Sequence, residues 1–290
     1  MPMVNAIGPV LLAVGSGFIG RAVARVFERE GVCFETAERH SGIDLCDWES
    51  VQELDGMEAI VHVAGHASAP LSWEAPHLFY RENLLITLNL LELARLRSAR
   101  LILGSSYIYG VPKYLPVDEA HPLNPSNPYM ASKFMAEQLC AAYARDFGVP
   151  VTALRIFNAY GPGQHRDFLV PTLIEGVKRG ALVLRDPQPR RDFVHVDDVA
   201  EAVVAALRLQ GSGFAAFNIG SGSSISVWEL VSLAVRVSGR PVDVGYTSES
   251  RRGEIDDVVA EVSKAARLLG WAPRITLEEG IGNLLAEDAG

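Results

Sequence analysis

The sequence predicts an α/β fold, in which helices cover both faces of a doubly wound parallel sheet. Short apolar runs alternate with helical patterns through the first half of the chain, and the first run ends in a glycine-rich turn. The runs are apolar at successive positions, as strands buried on both faces must be. Sheets of this kind bind their ligands beyond the carboxyl ends of the strands, where we expect the functional site.

The predicted elements follow one another as strand, helix, strand. The first strand is expected at 10–14 and the first helix at 18–30, with further strands at 32–37, 59–63, 101–103 and 151–154 and long helices at 76–97 and 129–147. After about Gly161, turn signals become frequent. We therefore expect a first domain over residues 1–160 and a smaller, interleaved second lobe over residues 161–290, with some later segments returning to the sheet.

Composition limits the class of protein. The chain has 290 residues, of which 49% are hydrophobic and 21% charged, as in a protein with a packed core. Its net charge of -9 argues against nucleic acid as the main partner, because phosphate backbones are bound by basic surfaces. A small anionic ligand needs only a local group of arginines or backbone N–H groups, so it stays open.

The cysteines and the N-terminal residues indicate a cytoplasmic protein without a metal centre. Cys33, Cys46 and Cys140 are odd in number and far apart, so they form neither a disulfide framework nor a metal-binding spacing. Reduced thiols of this kind are usual in the cytoplasm. The apolar run at 9–14 is too short to cross a bilayer, and we expect no leader peptide and no membrane association.

A glycine motif, Gly15-Ser-Gly17-Phe18-Ile19-Gly20, lies between the first strand and the first helix. The first glycine permits a tight turn, the second lets the backbone approach a pyrophosphate, and the third lets helix and strand pack closely. The N-terminus of the helix adds N–H groups and a partial positive charge. The motif predicts that the first domain is a Rossmann domain that binds a dinucleotide.

Residues after the second strand bear on the choice of dinucleotide. A carboxylate at Glu38 accepts hydrogen bonds from ribose hydroxyls, which favours NAD, whereas Arg39 beside it suits the 2′-phosphate of NADP. We favour NAD and keep NADP as the alternative. Asp44 is a candidate for contact with the adenine and is equally suited to a turn.

A catalytic pair is predicted in Tyr129-Met-Ala-Ser-Lys133, where a phenol and an ammonium group lie four residues apart on one helix face. Hydride loss from a carbinol requires a base for the hydroxyl proton, and a nearby lysine with the positive nicotinamide favours the phenolate. Ser105 and Ser106 are expected just past the fourth strand, where a hydroxyl would complete a Ser–Tyr–Lys relay. Taken alone, such a serine pair is equally a turn or a helix cap.

Together these motifs resemble the extended short-chain dehydrogenase/reductase family, and within it the nucleotide-sugar epimerase/dehydratase group. The resemblance rests on residues 15–20, 105–110, 129–133, 155–163, 191–198, 218–222 and 263–271, which occur in the family's order and cover nearly the whole chain. It implies a nicotinamide-dependent enzyme that acts on a nucleotide-linked sugar. Val14 stands where the family has a further glycine, so the phosphate turn is expected to differ slightly.

The resemblance also implies roles for individual residues. Tyr129 would be the base, Lys133 its electrostatic partner and a ribose ligand, and Ser105 the hydrogen-bond donor to the reacting oxygen. Ser105 is preferred to Ser106 because it stands five residues before Gly110. The implied cofactor-binding residues are Gly15, Gly17, Phe18, Ile19, Gly20, Glu38, Arg39, Asp44, Leu45, Ala64, Gly65, Asn83, Tyr129, Lys133 and Phe157. The implied substrate-binding residues are Ser105, Asn158, Leu169, Arg191 and Arg251.

The same resemblance separates reaction types. A 4,6-dehydratase needs an Asp-Glu pair directly after the serine, where this chain has Ser106 and Tyr107. The 3,5-epimerase/reductase relatives use a Cys and a His, where it has Tyr107 and Phe168. Two reactions remain. A 4-epimerase oxidises C4 transiently and returns hydride to the other face, whereas a 4-ketoreductase makes one hydride transfer to a 4-keto-6-deoxy sugar nucleotide.

These two reactions, and one function of another class, stay open. Glu38 favours the 4-epimerase, whereas Arg39 and the short connection to Asp44 favour the 4-ketoreductase; we place the epimerase ahead. A non-catalytic dinucleotide-binding sensor or scaffold is the third hypothesis, and the intact Ser105, Tyr129 and Lys133 argue against it. Relatives pair the helices at 76–97 and 129–147 across a dimer, so we expect a homodimer, with an intramolecular core as the alternative.

Overall fold

Twelve strands and ten α-helices are present in residues 7–247, 249 and 253–287, which the computed structural model describes. The strands are β1 (Val10–Ala13), β2 (Phe34–Ala37), β3 (Ala59–His62), β4 (Arg100–Ser106), β5 (Val151–Ile156), β6 (Asn158–Tyr160), β7 (Ala181–Leu184), β8 (Arg190–Arg191), β9 (Phe193–His195), β10 (Phe214–Ile219), β11 (Ile225–Ser226) and β12 (Asp243–Tyr246). The helices are α1 (Phe18–Glu30), α2 (Trp48–Gln52), α3 (Ala69–Glu74), α4 (Pro76–Arg97), α5 (Pro128–Phe147), α6 (Leu169–Arg179), α7 (Val196–Arg208), α8 (Val227–Ser238), α9 (Ser263–Leu269) and α10 (Leu277–Ala286).

A six-stranded parallel sheet forms the centre, in the order β10-β5-β4-β3-β1-β2. Side chains alternate between its two faces. Val10 and Leu12 of β1 belong to a core formed with α1 and α7, whereas Leu11 and Ala13 belong to a core formed with α4 and α5. Helices therefore cover both faces, and the prediction of a doubly wound parallel sheet is confirmed.

The fourth strand is longer than its apolar residues suggest. The prediction of a strand at 101–103 was wrong in length, because β4 continues through Ser105 and Ser106, which pair with Arg155 and Ile156 of β5. Glycine and serine are turn residues in isolation, but pairing with a neighbouring strand overrides that preference. The two serines thus end the strand itself at the carboxyl edge of the sheet.

The second half of the chain is divided between the sheet and a separate core. Helices α6, α8 and α10 enclose the separate core, which includes Leu173, Leu230 and Ile281. Strand β10 instead joins the main sheet beside β5, and α7 packs on α1. Later segments therefore return to the sheet as expected, and a domain boundary at residue 160 stays a prediction. Within the described part of the chain, no helix has both the length and the hydrophobicity needed to cross a bilayer.

Candidate active site

Tyr129 and Lys133 lie in the first two turns of α5, because the sequence fixes where this helix begins. The Asn127 side chain accepts a hydrogen bond from the Met130 amide, and Pro128 occupies the first helical position. The cap satisfies an amide that the helix itself leaves free, and proline is suited to a position where no N–H is needed. The phenol and the ammonium group then project on one face of the helix.

Burial governs the ionisation of both groups. The Lys133 ammonium is buried and donates to the Gly104 carbonyl at 2.9 Å. Burial lowers the pKa of Lys133 to about 8, against the opposing charge of Glu137. Tyr129 is half-buried as a residue but its hydroxyl lies deep, so burial raises the pKa of the phenol, with the Ser106 hydroxyl opposing. The phenol is thus protonated at neutral pH until a further positive charge lies beside it.

The two serines of β4 have different surroundings. The buried Ser105 hydroxyl donates to Glu137 at 2.6 Å. The Ser106 hydroxyl is also buried beside the phenol of Tyr129, and among the described residues it makes no hydrogen bond of normal geometry. Side chains alternate along a strand, and Ser106, rather than the predicted Ser105, is the serine that reaches Tyr129. A buried, unsatisfied hydroxyl is costly unless a ligand completes its bonding.

A buried ion pair supports this arrangement. Arg155 Nη2 lies 2.8 Å from the Glu137 carboxylate, and the two side chains are 6% and 0% exposed. Arg155 also donates to the Tyr109 hydroxyl at 3.0 Å, which in turn donates to Asn218 at 2.6 Å. Since Glu137 follows Lys133 by one helical turn, the network ties α5 to β5 and β10 beside the site. Loss of either charged partner would leave the other buried and unpaired.

The glycine turn forms a cradle at the start of α1. A side chain at Gly20 would overlap the carbonyl oxygen of Val14, so helix and strand pack as closely as the motif predicts. Gly17 provides no capping side chain and the first turn holds no acidic residue, which leaves N–H groups for an anion. Val14 has a φ of 65°, a conformation that costs a branched residue about 1–2 kcal/mol. The turn keeps its shape at that cost. The predicted turn residues are Gly15, Gly17, Phe18, Ile19 and Gly20.

A second backbone segment, at 64–66, is held against α4 and α5 by Asn83. The buried Asn83 amide donates to the Ser132 hydroxyl at 2.9 Å, and its oxygen accepts from the His66 amide at 2.9 Å. Gly65 has a φ of 119°, and a side chain there would overlap Asn83. Ala64 is buried. The structure thus brings the predicted residues of this segment next to α5.

The residues predicted for the adenosine end follow β2. Glu38 caps a short 3₁₀ turn at Arg39–Ser41, and its carboxylate accepts hydrogen bonds from the amide and hydroxyl of Ser16 in the glycine turn. Asp44 accepts a bond from the backbone amide two residues later at 3.0 Å, so it stabilises a turn. Leu45 is buried in the core that α4 and α5 share.

Asn158 and Arg191, both predicted to bind substrate, lie on the short strands β6 and β8. Asn158 donates to the Asp192 carbonyl at 3.1 Å. Arg191 donates to the Ile255 carbonyl at 2.6 Å and pairs with the carboxylate of Glu254. The guanidinium is therefore held in place by its own chain.

Three further predicted residues complete the set. Leu169 begins α6 and is partly buried in the second-lobe core. Phe157 is buried, and its ring centroid lies 5.2 Å from that of Tyr107. Arg251 lies outside the described residues.

Sequence reasoning missed Glu137 and Glu82. The spacing of Glu137, four residues after Lys133, was an available signal, because it places both side chains on one helix face. Glu82 offers no such signal, since its contacts with Arg39 and His66 join residues that lie far apart in the chain. No group of three or more His, Cys, Asp or Glu side chains in the described ranges gathers closely enough to hold a metal ion.

Comparison with known proteins decides the family. A family model described as the NAD dependent epimerase/dehydratase family matches residues 10–220, more than half of the chain. The chain belongs to this family. The matched region contains the glycine turn, both serines of β4, Tyr129 and Lys133.

Individual relatives agree over nearly the full length. A UDP-glucose 4-epimerase of Rhizobium leguminosarum bv. trifolii is 32% identical over an alignment that covers 93% of this chain and 94% of the relative. A UDP-glucose 4-epimerase from Thermotoga maritima, solved with UDP-glucose, is 28% identical with a TM-score of 0.90 and coverage of 96% and 97%. RMD from Pseudomonas aeruginosa, solved with NADPH, is 27% identical with a TM-score of 0.87 and coverage of 96% of each chain.

Proposed function

We propose that this family member is a nucleotide-sugar 4-epimerase, which uses NAD to oxidise C4 of an NDP-hexose transiently. The observation that carries the proposal is the meeting of Ser106, Tyr129 and Lys133 in a buried site at the carboxyl end of β4. The similarity to UDP-glucose 4-epimerases supports a UDP-hexose as the substrate class.

The site fits a nicotinamide dinucleotide. The uncapped start of α1 offers N–H groups to the pyrophosphate, and Gly20 lets the helix lie close against the turn that precedes it. Glu38, which follows β2 and is bonded to Ser16 of the glycine turn, offers a carboxylate to the ribose hydroxyls. When bound, the dinucleotide supplies the acceptor and donor of hydride.

The protein's own side chains handle the proton. Tyr129 takes the proton of the C4 hydroxyl as the base and returns it when C4 is reduced again. Lys133, with a pKa of about 8, is mostly charged at neutral pH and stabilises the phenolate. Ser106 bonds the same sugar oxygen, because its hydroxyl lies beside the phenol and is unsatisfied. It thus takes the role that the sequence motif suggested for Ser105.

The nucleotide end of the substrate is assigned to the second half of the chain. We propose that Arg191 exchanges its bond to Glu254 for the diphosphate, since a guanidinium fork matches phosphate oxygens bidentately. Asn158 and Leu169 would border the same ligand, and Arg251 is proposed as a second diphosphate arginine by resemblance alone.

We further propose a homodimer in the cytoplasm. Hydrophobic residues are exposed along α4 and α5, which pack side by side: Leu85, Leu88, Leu96, Met135 and Phe147. A second copy would cover this face. All three cysteines are free thiols, as is usual in a reducing compartment.

Product analysis tests the proposed reaction. The purified protein is incubated with UDP-glucose, UDP-N-acetylglucosamine or a 4-keto-6-deoxy sugar nucleotide, each without and with NADH or NADPH, and products are resolved by proton NMR. We expect a galacto-configured product without added reductant. Turnover of the keto sugar alone, with stoichiometric loss of reduced cofactor, would instead establish a 4-ketoreductase. Absence of turnover with every substrate, in protein that retains dinucleotide, would favour the sensor or scaffold.

Matched serine variants test the site within the same assay. Ser106→Ala removes the bond to the reacting oxygen and is expected to lower kcat about 10²-fold or more, as loss of a transition-state hydrogen bond does. Ser105→Ala removes a hydrogen bond to Glu137. It is expected to lower the free energy of unfolding and to lower kcat less than Ser106→Ala does. The reverse order of effects on kcat would return the catalytic role to Ser105.

A further inference from the structure

Two carboxylates face the arginine that would otherwise suit NADP. Arg39 Nε lies 3.6 Å from Asp44 Oδ2, and its Nη2 lies 3.9 Å from Glu82 Oε2. Asp44 comes from the loop after the 3₁₀ turn and Glu82 from α4, so the two acids approach the guanidinium from different elements. The Arg39 side chain is 67% exposed, and it is therefore able to turn towards another anion if these partners are removed.

Glu82 is fixed in its ionised form. Burial opposes ionisation, but hydrogen bonds from Arg81 at 3.0 Å and His66 at 3.1 Å outweigh it, so the pKa of Glu82 lies below its ordinary value. The Glu82 side chain is only 15% exposed. The backbone of His66 is in turn bound to Asn83, so Glu82 is anchored to the cofactor-facing segment at 64–66.

Glu38 adds a third negative charge at the same end of the site, held on the Ser16 amide of the glycine turn. A ribose 2′-hydroxyl donates to such a carboxylate, whereas a 2′-phosphate, with nearly two negative charges, is repelled by it. The positive charge of Arg39 would be needed to offset that repulsion. The guanidinium is already paired with Asp44 and Glu82.

We propose that Asp44 and Glu82 are specificity-determining residues, which hold Arg39 away from the ribose and make the enzyme select NAD over NADP. The inference rests on the proposed function, because it concerns the dinucleotide of that same site. Taken alone, Arg39 indicates NADP, whereas Glu38 beside it favours NAD. The pairing of Arg39 with Asp44 and Glu82 explains how the two residues occur together. Since the effect is electrostatic and largely exposed, it weakens as salt rises.

Competition between the two dinucleotides tests the inference on the whole protein. Each protein is equilibrated with equal concentrations of NAD and NADP, freed of unbound nucleotide by gel filtration, and its bound nucleotides are quantified by chromatography. We expect NAD to exceed NADP at least about tenfold in the wild type, and Asp44→Asn/Glu82→Gln to lower that ratio about tenfold or more. Both substitutions keep the size of the side chain and remove its charge, while one acceptor oxygen becomes an NH2 donor. Adding Arg39→Ala to this double variant should cancel the gain in NADP.

Two further results decide the outcome. The control Glu28→Gln/Glu53→Gln removes the same charge from exposed positions and is expected to keep the wild-type ratio. A ratio that is unchanged in Asp44→Asn/Glu82→Gln, or equally changed in the control, would overturn the specificity role while leaving the proposed function intact. Protein that retains neither nucleotide would overturn both.

Discussion

At the scale of the residue, His62 shows what full burial does to a titratable group beside the site. It ends β3, and its Nε2 lies 2.9 Å from the Thr87 hydroxyl, while Nδ1 has no hydrogen-bond partner among the described residues. Burial, with a smaller contribution from the charge of Lys133, lowers the pKa of His62 to about 3. The imidazole is therefore neutral throughout the physiological range.

His62 should make stability depend on pH. Its folded pKa lies below the value of about 6.5 in the unfolded chain, so the unfolded state gains a proton first as pH falls. Its contribution is complete above pH 6.5 and is lost as the pH falls from there towards 3, by about 2 kcal/mol between pH 7 and pH 5. Urea unfolding at both pH values should show His62→Gln losing about 2 kcal/mol less than the wild type.

A matched variant separates this effect from general acid sensitivity. His77 is exposed on α4, so His77→Gln should lose as much stability as the wild type over the same pH interval. If His62→Gln follows the wild type as closely as His77→Gln does, burial is not controlling the charge of His62.

The sequence predicts residue types at the site better than their partners. The shared helix face of Tyr129 and Lys133 and the position of the glycine turn could be predicted, because residue spacing follows from helix and turn geometry. Ser105 was chosen over Ser106 by counting from Gly110, and only the alternation along β4 shows which hydroxyl reaches the phenol. Glu82 could not be predicted from the sequence, since its role depends on contacts between elements far apart in the chain.

At the scale of the element, α4 and α5 together expose five large hydrophobic side chains: Leu85, Leu88, Leu96, Met135 and Phe147. On α5, Met135, Leu139, Tyr143 and Phe147 recur every four residues, which places them in one stripe. Met135 and Phe147 are 43% and 58% exposed. A second pair of helices could pack against a hydrophobic stripe of this kind on two neighbouring helices.

Disrupting that face should separate the subunits. We expect the wild type to sediment as a dimer and Leu88→Glu to sediment as a monomer with unchanged circular dichroism, because a charge would be buried at the interface. Val183→Glu serves as a control, since Val183 is 69% exposed on β7, away from these helices. A wild type that is monomeric at micromolar concentration, or a Leu88→Glu that stays dimeric, would contradict the assignment.

Boundaries of the elements differ in how well they can be predicted. Helices α1 and α4 have the predicted bounds, because proline or glycine signals mark an end of each. Strand β4 was too short in the prediction, since Gly104, Ser105 and Ser106 owe their extended conformation to pairing with β5. The local sequence does not indicate that the strand pairs with β5 at these residues.

At the scale of the whole molecule, the proposed site draws residues from both halves of the chain. The first half contributes the glycine turn, Ser106, Tyr129 and Lys133, whereas Asn158 and Arg191 come from short strands of the second half. The alternation of strands and helices predicts the sheet, but the return of β10 to its edge depends on packing with β5. Transient oxidation at C4 is the chemistry that this assembly supports.

The fate of the hydrogen on C4 tests that claim most directly. UDP-glucose with deuterium at C4 is incubated with the protein in ordinary water without added cofactor, and the UDP-galactose formed is analysed by mass spectrometry and NMR. If hydride is removed and returned within one site, deuterium stays at C4 of the product. Tyr129→Phe is expected to form product at least about 10²-fold more slowly, because it lacks the base. Replacement of the deuterium by solvent hydrogen, or undiminished turnover by Tyr129→Phe, would contradict the proposed mechanism.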